Sequence, residues 1–546
     1  MTILLSKSWR LRIFALALMT CLASCTTAGP QNSQGSNDVG QKSPSYIVSV
    51  VDEPDTTDFQ CTTINYTIAL NCFNRLVEMS PDANGEVTVS PSLAESWEES
   101  EDGLTYTFHL RDDVTFSNGS PLTSSDVYYT FVRLLTHPAS CNQDIVSDIL
   151  GAKDLVAGTT SVLEGFTVVD DHTFQIRLEQ PYSAFLACLC MPGASILDQT
   201  STEEAGDSFG KDPAVTIGTG PFVFSEWRAG EGMLLTTNTS CWEVVPDFDG
   251  LDLRFVYDSD ALSTMFKEGE LDIVNIDDLG DLGDYYLNGN AYKNQLVTAP
   301  HIGIDYIALN ESVEPLGDVR VRKALQLSLN RQTLLDAAYN GAGQVEQGIY
   351  PRGLHGHNPN LAQIPYDPTQ ASELLAQAGY ADGFDLEVDM RATTPQWQRE
   401  LVTMAVSMWE KVGVRATVRI LSEDEFMDLR TTGRLSCYTA SWAADFDDPD
   451  NFIYTFFGTP ENSVFRSLCY NNSDAITRVR QARAIKDDSE RMNEYAELER
   501  IIVQEDAAWI PLFSRERHFL VSDRVSNFTT AWNGWFEATY KYMSVK

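Results

Sequence analysis

Leu93-Ala94-Glu95-Ser96-Trp97, Asp102-Gly103-Leu104-Thr105-Tyr106-Thr107-Phe108-His109-Leu110-Arg111 and Ser125-Asp126-Val127 make up the stretch whose reading decides the fold of this 546-residue chain. Tyr106, Phe108 and Leu110 alternate with Thr105, Thr107 and His109, the period of two that gives a strand one apolar face. Thr123 stands three residues before Asp126, and Val127, Phe131, Leu134 and Leu135 follow at helical spacing, so a capped helix is predicted there.

The same signals recur along the chain. Asp318 is placed to cap a helix bearing Val321, Ala324, Leu325 and Leu329 on one face, and Asn340-Gly341 closes the helix after it. Asp367-Pro368 puts a cap and a first-turn proline before Ala371, Leu374, Leu375 and Ala378, with Gly379 as the stop. Phe384, Leu386, Val388 and Met390 alternate with acidic residues as a strand does. Strands and helices interleaved in this way predict an α/β protein with more than one sheet.

The N-terminal residues read as an export signal. Lys7, Arg10 and Arg12 precede an apolar run over 13–22 that is too short to span a bilayer. Leu22-Ala23-Ser24-Cys25 is similar to a lipobox, whose processing makes Cys25 a diacylated N-terminus. An ordinary secretory signal with an incidental cysteine is the competing reading. Residues 26–44 are rich in Gly, Ser, Asn and Gln, the composition of a flexible tether with a span of about 25 Å.

Formal net charge is −40, or −43 once residues 1–24, with three basic residues and no acid, are removed. That repels nucleic acid and suits an extracytoplasmic surface. With 43% apolar residues the chain has material for several cores. Apart from Cys21 and Cys25, the cysteines are Cys61, Cys72, Cys141, Cys188, Cys190, Cys241, Cys437 and Cys469. An even number in an exported chain suggests disulfides. Cys188 and Cys190, expected on one face of a strand, are poorly placed to bond each other, and Cys437 with Cys469 is the pair expected to brace the segment around Asp445. Zinc has no C-x-x-C spacing to support it.

The opening stretch resembles the signature region of the bacterial extracellular solute-binding proteins of family 5, the oligopeptide- and dipeptide-binding type that serves ABC importers. The likeness continues in order through Gly218-Thr219-Gly220-Pro221-Phe222, Asp318-Val319-Arg320-Val321-Arg322-Lys323-Ala324-Leu325, Tyr366-Asp367-Pro368, Ala378-Gly379-Tyr380 and the segment 442–452. It implies a periplasmic-binding-protein-like α/β fold with three lobes: lobe I from 45–85, 196–300 and 508–546, lobe II from 86–195, and lobe III from 301–507. Residues 1–24 would be the signal peptide and 25–44 the tether. Chain crossings near 302–306 and 509–512 would form the hinge between lobes I and III.

The resemblance also implies a role without catalysis or cofactor. A lipid-anchored monomer captures an extracellular peptide by closing about its hinge and delivers it to a membrane permease whose ATPases supply the energy. The chain itself lacks a Walker A motif, since no Lys-Ser or Lys-Thr follows the glycines of 218–220. Oligosaccharide, nickel chelate, haem and opine are the alternative ligands. A secreted hydrolase lacks G-x-S-x-G and H-E-x-x-H support, and a sensor or adhesin is the remaining class.

Ser441-Trp442-Ala443-Ala444-Asp445 carries the expected site. In peptide-binding members the residue matching Asp445 accepts the ligand ammonium, and Ser441, Trp442 and Ala443 flank the extended peptide. The bland alternative makes Asp445 a turn cap. A calcium loop is excluded by Pro449 and Asp450 falling where a ligand and a glycine are needed. Arg391, after the strand at 384–390, is expected to pair with a ligand carboxylate, or else to form a surface salt bridge. Trp397 and Trp442 are cleft walls or core, and 62–70 aligns with a segment beside the ligand. His355 and His357 read as a surface loop rather than a metal site.

Overall fold

The computed structural model describes residues 45–81, 87–299, 301–339, 341–534 and 538–546, so the expectations for Cys25, the signal, the tether and Asn340 lie outside the described residues. Alternation at 105–110 becomes the strand Thr105–Leu110, with Tyr106, Phe108 and Leu110 buried. Thr123 caps the helix Ser124–Thr136 in a capping box, its N–H donating to Asp126 Oδ2 at 2.9 Å. Asp318 and Asp367 cap in the same way, accepting from the N–H groups of Arg320 and Gln370 at 2.8 and 2.9 Å.

Three larger sheets organise the described residues. A seven-stranded mixed sheet runs Leu296–Ala299, Arg517–Val521, Ile273–Asn275, Tyr46–Val50, Gly250–Arg254, Gly232–Thr237, Phe222–Arg228. A four-stranded antiparallel sheet runs Ala94–Glu99, Thr105–Leu110, Thr173–Arg177, Phe166–Asp170. The six-stranded sheet runs Gly343–Val345, Trp509–Arg515, Gly303–Leu309, Cys437–Ala443, Phe384–Arg391, Val414–Leu421. Its central strand Gly303–Leu309 is buried at every position because helices cover both faces, as the cores around Trp509 on one side and Trp409 on the other record.

The backbone passes between the seven- and six-stranded sheets after Ala299 and again between Arg515 and Arg517. The second passage corrects the expected crossing at 509–512. Trp509 is buried in the core on one face of the six-stranded sheet and Ile510, Leu512 and Phe513 in the core on the other, so 508–515 stay with that sheet. Only the residues from Arg517 onward join the seven-stranded one.

Other expectations are also corrected. Cys188 ends the short helix Phe185–Cys188 and Cys190 follows it in a turn, so neither is on a strand. All eight described cysteines are free thiols. Cys437 points into the apolar core beside Trp409, whereas Cys469 turns its Sγ to the Gly433 carbonyl, which keeps the expected partners apart. Asp389 breaks the simple alternation of Phe384–Arg391: it is buried, paired with Arg419 Nε at 2.7 Å and with the Ser436 N–H at 2.9 Å. The glycines of 218–220 act as backbone spacers, since a Cβ on Gly218 would lie 2.0 Å from the Cys72 carbonyl oxygen.

Candidate ligand cleft

The strand Cys437–Ala443 pairs antiparallel with Gly303–Leu309 and runs parallel beside Phe384–Arg391. At its C-terminal end the chain turns through 444–449 into the helix Asp450–Phe457, and two cavities open against this turn. A cavity of about 480 Å³ is lined by Ala443 and by Asp52, Asn65, Asp278, His301 and Tyr540 among others. It lies at the carboxyl ends of Tyr46–Val50 and Ile273–Asn275, where open α/β sheets bind ligands. The second, of about 350 Å³, is lined by Trp442 and Asp445 on one side and by Asp144, Asp148 and Tyr182 on the other.

Asn451 positions Asp445. Its side-chain oxygen accepts from the Asp445 N–H at 2.9 Å and from Trp442 Nε1 at 3.3 Å, while its amide nitrogen donates to Asp445 Oδ2 at 2.9 Å. One Asp445 oxygen is thereby engaged and the other is left to the cavity. Burial pushes the Asp445 pKa up to about 7, with Asp144 adding to the rise and Asn451 and Arg466 opposing it. Arg466 stacks over the Trp442 ring at 4.7 Å and forms no ion pair among the described residues. Desolvation lowers its pKa from the usual value. An uncommitted cation and a carboxylate that titrates near neutrality therefore share one cavity. Such a site suits a ligand carrying both signs of charge.

Residues 88–463, more than half of the chain, match the family model of the bacterial extracellular solute-binding proteins, family 5. The chain belongs to that family. Heme-binding protein A of Haemophilus influenzae is 29% identical over 474 residues, 84% of either chain. The dipeptide-binding protein of Escherichia coli is 28% identical over 459 residues, 80% of this chain and 82% of its own. Among solved structures, HbpA2 from Haemophilus parasuis superposes with a TM-score of 0.76 at 26% identity, covering 92% of this chain and 99% of its own.

In this family 5 protein the sequence-predicted residues divide into two groups. Trp442, Ala443 and Asp445 meet at the cavities, together with Thr63, Ile64, Asn65 and Thr67 from the 62–70 segment. Ser441 is exposed one position earlier, facing Asp305 across the strand pair. Arg391 and Trp397 line neither cavity. Arg391 is 3.3 Å from Glu423, lies over the Phe426 ring at 4.7 Å and keeps 37% of its side chain exposed. Trp397 packs against Tyr339 at 4.8 Å, with Arg515 at 5.4 Å. His355 contacts Asp488 at 3.0 Å and His357 the Tyr350 carbonyl at 2.9 Å.

Asp144, Asp148, Arg466, His301 and Asp278 were not singled out by sequence. Asp144, Asp148, Asp278 and His301 are distant in the chain from the 441–452 block, and Arg466, 14 residues after it, carries no local pattern; only Asn451, inside that block, was within reach of motif reading. His301 is held neutral, its pKa pushed down to about 3 by burial and by Arg515 and Arg517. Asp278 is pushed up to about 6 by burial and by Asp52 and Asp277, against Arg517.

Proposed function

We propose that this solute-binding protein captures a short peptide from outside the cell and presents it to an ABC permease, held at the membrane through Cys25. The observation that carries the reading is Asp445, a half-buried carboxylate with one free oxygen on an interlobe cavity that also holds the unpaired Arg466. A peptide ammonium on Asp445 and a carboxylate within reach of the arginine would pair both ligand charges in a water-poor cleft, where an unpaired charge is costly. Lobe I would comprise 45–85, 196–300 and 517–546, lobe II 86–195 and lobe III 301–515, with closure about the two strand crossings. Peptide-binding relatives support this choice.

A second reading, haem, is favoured by the relative named for haem binding and by the neutral His301 imidazole on the larger cavity. Isothermal titration of the purified protein with di- and tripeptides and, separately, with haemin decides between them. Peptide binding that disappears in Asp445→Ala supports the first reading. Haemin binding with no peptide response supports the second and sinks the first. Native mass spectrometry of the untreated protein adds the identity of any ligand carried through purification.

A further inference from the structure

Asp58, Cys61 and His137 come together away from both cavities, where the loop leading to Thr67–Cys72 meets the end of Ser124–Thr136. Cys61 Sγ lies 3.2 Å from His137 Nδ1 and 3.3 Å from Asp58 Oδ2, and all three ligand atoms fall within 4.8 Å of one another. This is the sole grouping of three such ligands among the described residues. We propose that Cys61 Sγ, His137 Nδ1 and Asp58 Oδ2 form a zinc site.

The spacing fits the metal. Tetrahedral zinc, with bonds of about 2.3 Å to sulfur and about 2.0–2.1 Å to nitrogen or oxygen, separates its sulfur and nitrogen ligands by about 3.5 Å. The observed separations are a few tenths of an ångström shorter, as expected of ligand atoms that touch directly and would part slightly around an ion. Thiolate with imidazole is the donor pair that selects zinc over magnesium or calcium. The Ala139 N–H points at the same His137 Nδ1, at 3.3 Å, a contact on that nitrogen's lone pair that zinc would displace. Asp58 is fixed by Arg133, whose Nη2 donates to the ligand oxygen Oδ2 itself at 2.6 Å and whose Nη1 donates to Oδ1 at 3.3 Å, and by the Gln60 N–H, which donates to Oδ1 at 3.1 Å. Outer-shell partners of this kind orient metal-bound carboxylates.

The site has a structural consequence. Phe59 belongs to the core under the seven-stranded sheet, whereas Leu134 and Leu135 belong to the core under the four-stranded one. Zinc bound between them pins the two bodies together, just before the Thr63–Thr67 wall of the larger cavity. A chain distance of 76 residues separates Cys61 from His137, so spacing rules do not reveal the set.

The test uses purified protein stripped with chelator and kept reduced, because Cys141 lies on the adjoining turn with its N–H donating to the Gln60 carbonyl. Titration with zinc chloride against a chromophoric zinc indicator is expected to give one zinc per chain and a higher melting temperature. Cys61→Ser and His137→Ala are each expected to weaken binding by more than about tenfold. His355→Ala, which removes the more conspicuous histidine, is expected to leave binding unchanged. Cobalt(II) gives a thiolate charge-transfer absorption only if sulfur is a ligand, so its loss in Cys61→Ser separates ligation from a general effect on folding. Failure of the reduced protein to take up zinc, or uptake that survives Cys61→Ser, overturns the proposal.

Discussion

At the scale of single residues, the ammonium contact proposed for Asp445 would couple ligand capture to pH. Its carboxyl, with a pKa near 7 in the ligand-free cleft, must be ionised to receive an ammonium. The ionised fraction falls from about one half at pH 7 to about one hundredth at pH 5, so a dipeptide should bind about 50-fold more weakly at pH 5 than at pH 7. Calorimetry in buffers of different ionisation enthalpy should show net proton release on binding at pH 6.5 and net uptake at pH 9, where the peptide amine, with a pKa of about 8, is itself mostly neutral; a flat profile would remove Asp445 from the site. The same shift acts on stability in the opposite sense. A folded pKa above the unfolded value favours the folded state at low pH, and this contribution is lost as pH rises from about 4 through about 7. Asp445→Asn should therefore stabilise the ligand-free protein at pH 8 by about 1–2 kcal/mol after allowing for solvent screening, while abolishing peptide binding. Urea titration checks the first half and calorimetry the second.

At the scale of elements, Arg483 at the end of Ser473–Ala482 joins segments that the sequence keeps far apart. Its Nε donates to Asp450 at 3.1 Å, its Nη2 to Asp148 at 2.9 Å, and the guanidinium is stacked between Tyr182 and Tyr454 at 3.9 and 4.1 Å. Asp450 is buried and also receives the hydroxyls of Tyr182 and Tyr495, so removing the arginine strands a desolvated carboxylate. Arg483→Met should cost about 3–5 kcal/mol in urea unfolding. Lys should not rescue it, because an ammonium cannot form the fork and the double stack together. Asp148→Asn should cost less than about 1 kcal/mol, since that carboxylate keeps 30% exposure. Equal losses at both positions would refute the asymmetry. The contrast also explains what was legible beforehand. Caps at Thr123, Asp318 and Asp367 are local, written in residues two or three apart, and they were read correctly. Arg483 and Asp148 stand 335 residues apart with nothing periodic between them. Cysteine parity reports compartment and not proximity, which is why the Cys437–Cys469 pairing failed while the sheets were anticipated. Within the site, the 442–445 segment was legible from its motif, but the opposite wall at Asp144 and Asp148 is created only by folding.

At the scale of the molecule, charge and topology act together. Two backbone passages, after Ala299 and between Arg515 and Arg517, connect the seven- and six-stranded sheets, and in the proposed closure so few connections would serve as the hinge. Carboxylates line both cavities of that cleft: Asp52 and Asp278 in one, Asp144, Asp148 and Asp445 in the other. They sit on a chain of net charge −40, and low-dielectric walls focus such a field into the opening. Under the proposed function a cationic ligand would be steered inward while the cleft is open, and steering is a rate effect that salt screens. Stopped-flow association of a lysine-containing tripeptide should slow by about tenfold as salt rises from ~10 mM to ~500 mM, whereas a tripeptide of alanines should change less than about twofold. Asp52→Asn with Asp278→Asn should flatten the first slope without touching the Asp445 contact, because these two residues lie on the other cavity. Dissociation rates, set by the closed state and its desolvated pairs, should respond far less to salt than association. Identical salt slopes for the two peptides would mean that the acidic surface contributes solubility alone and that selection among ligands occurs entirely after closure.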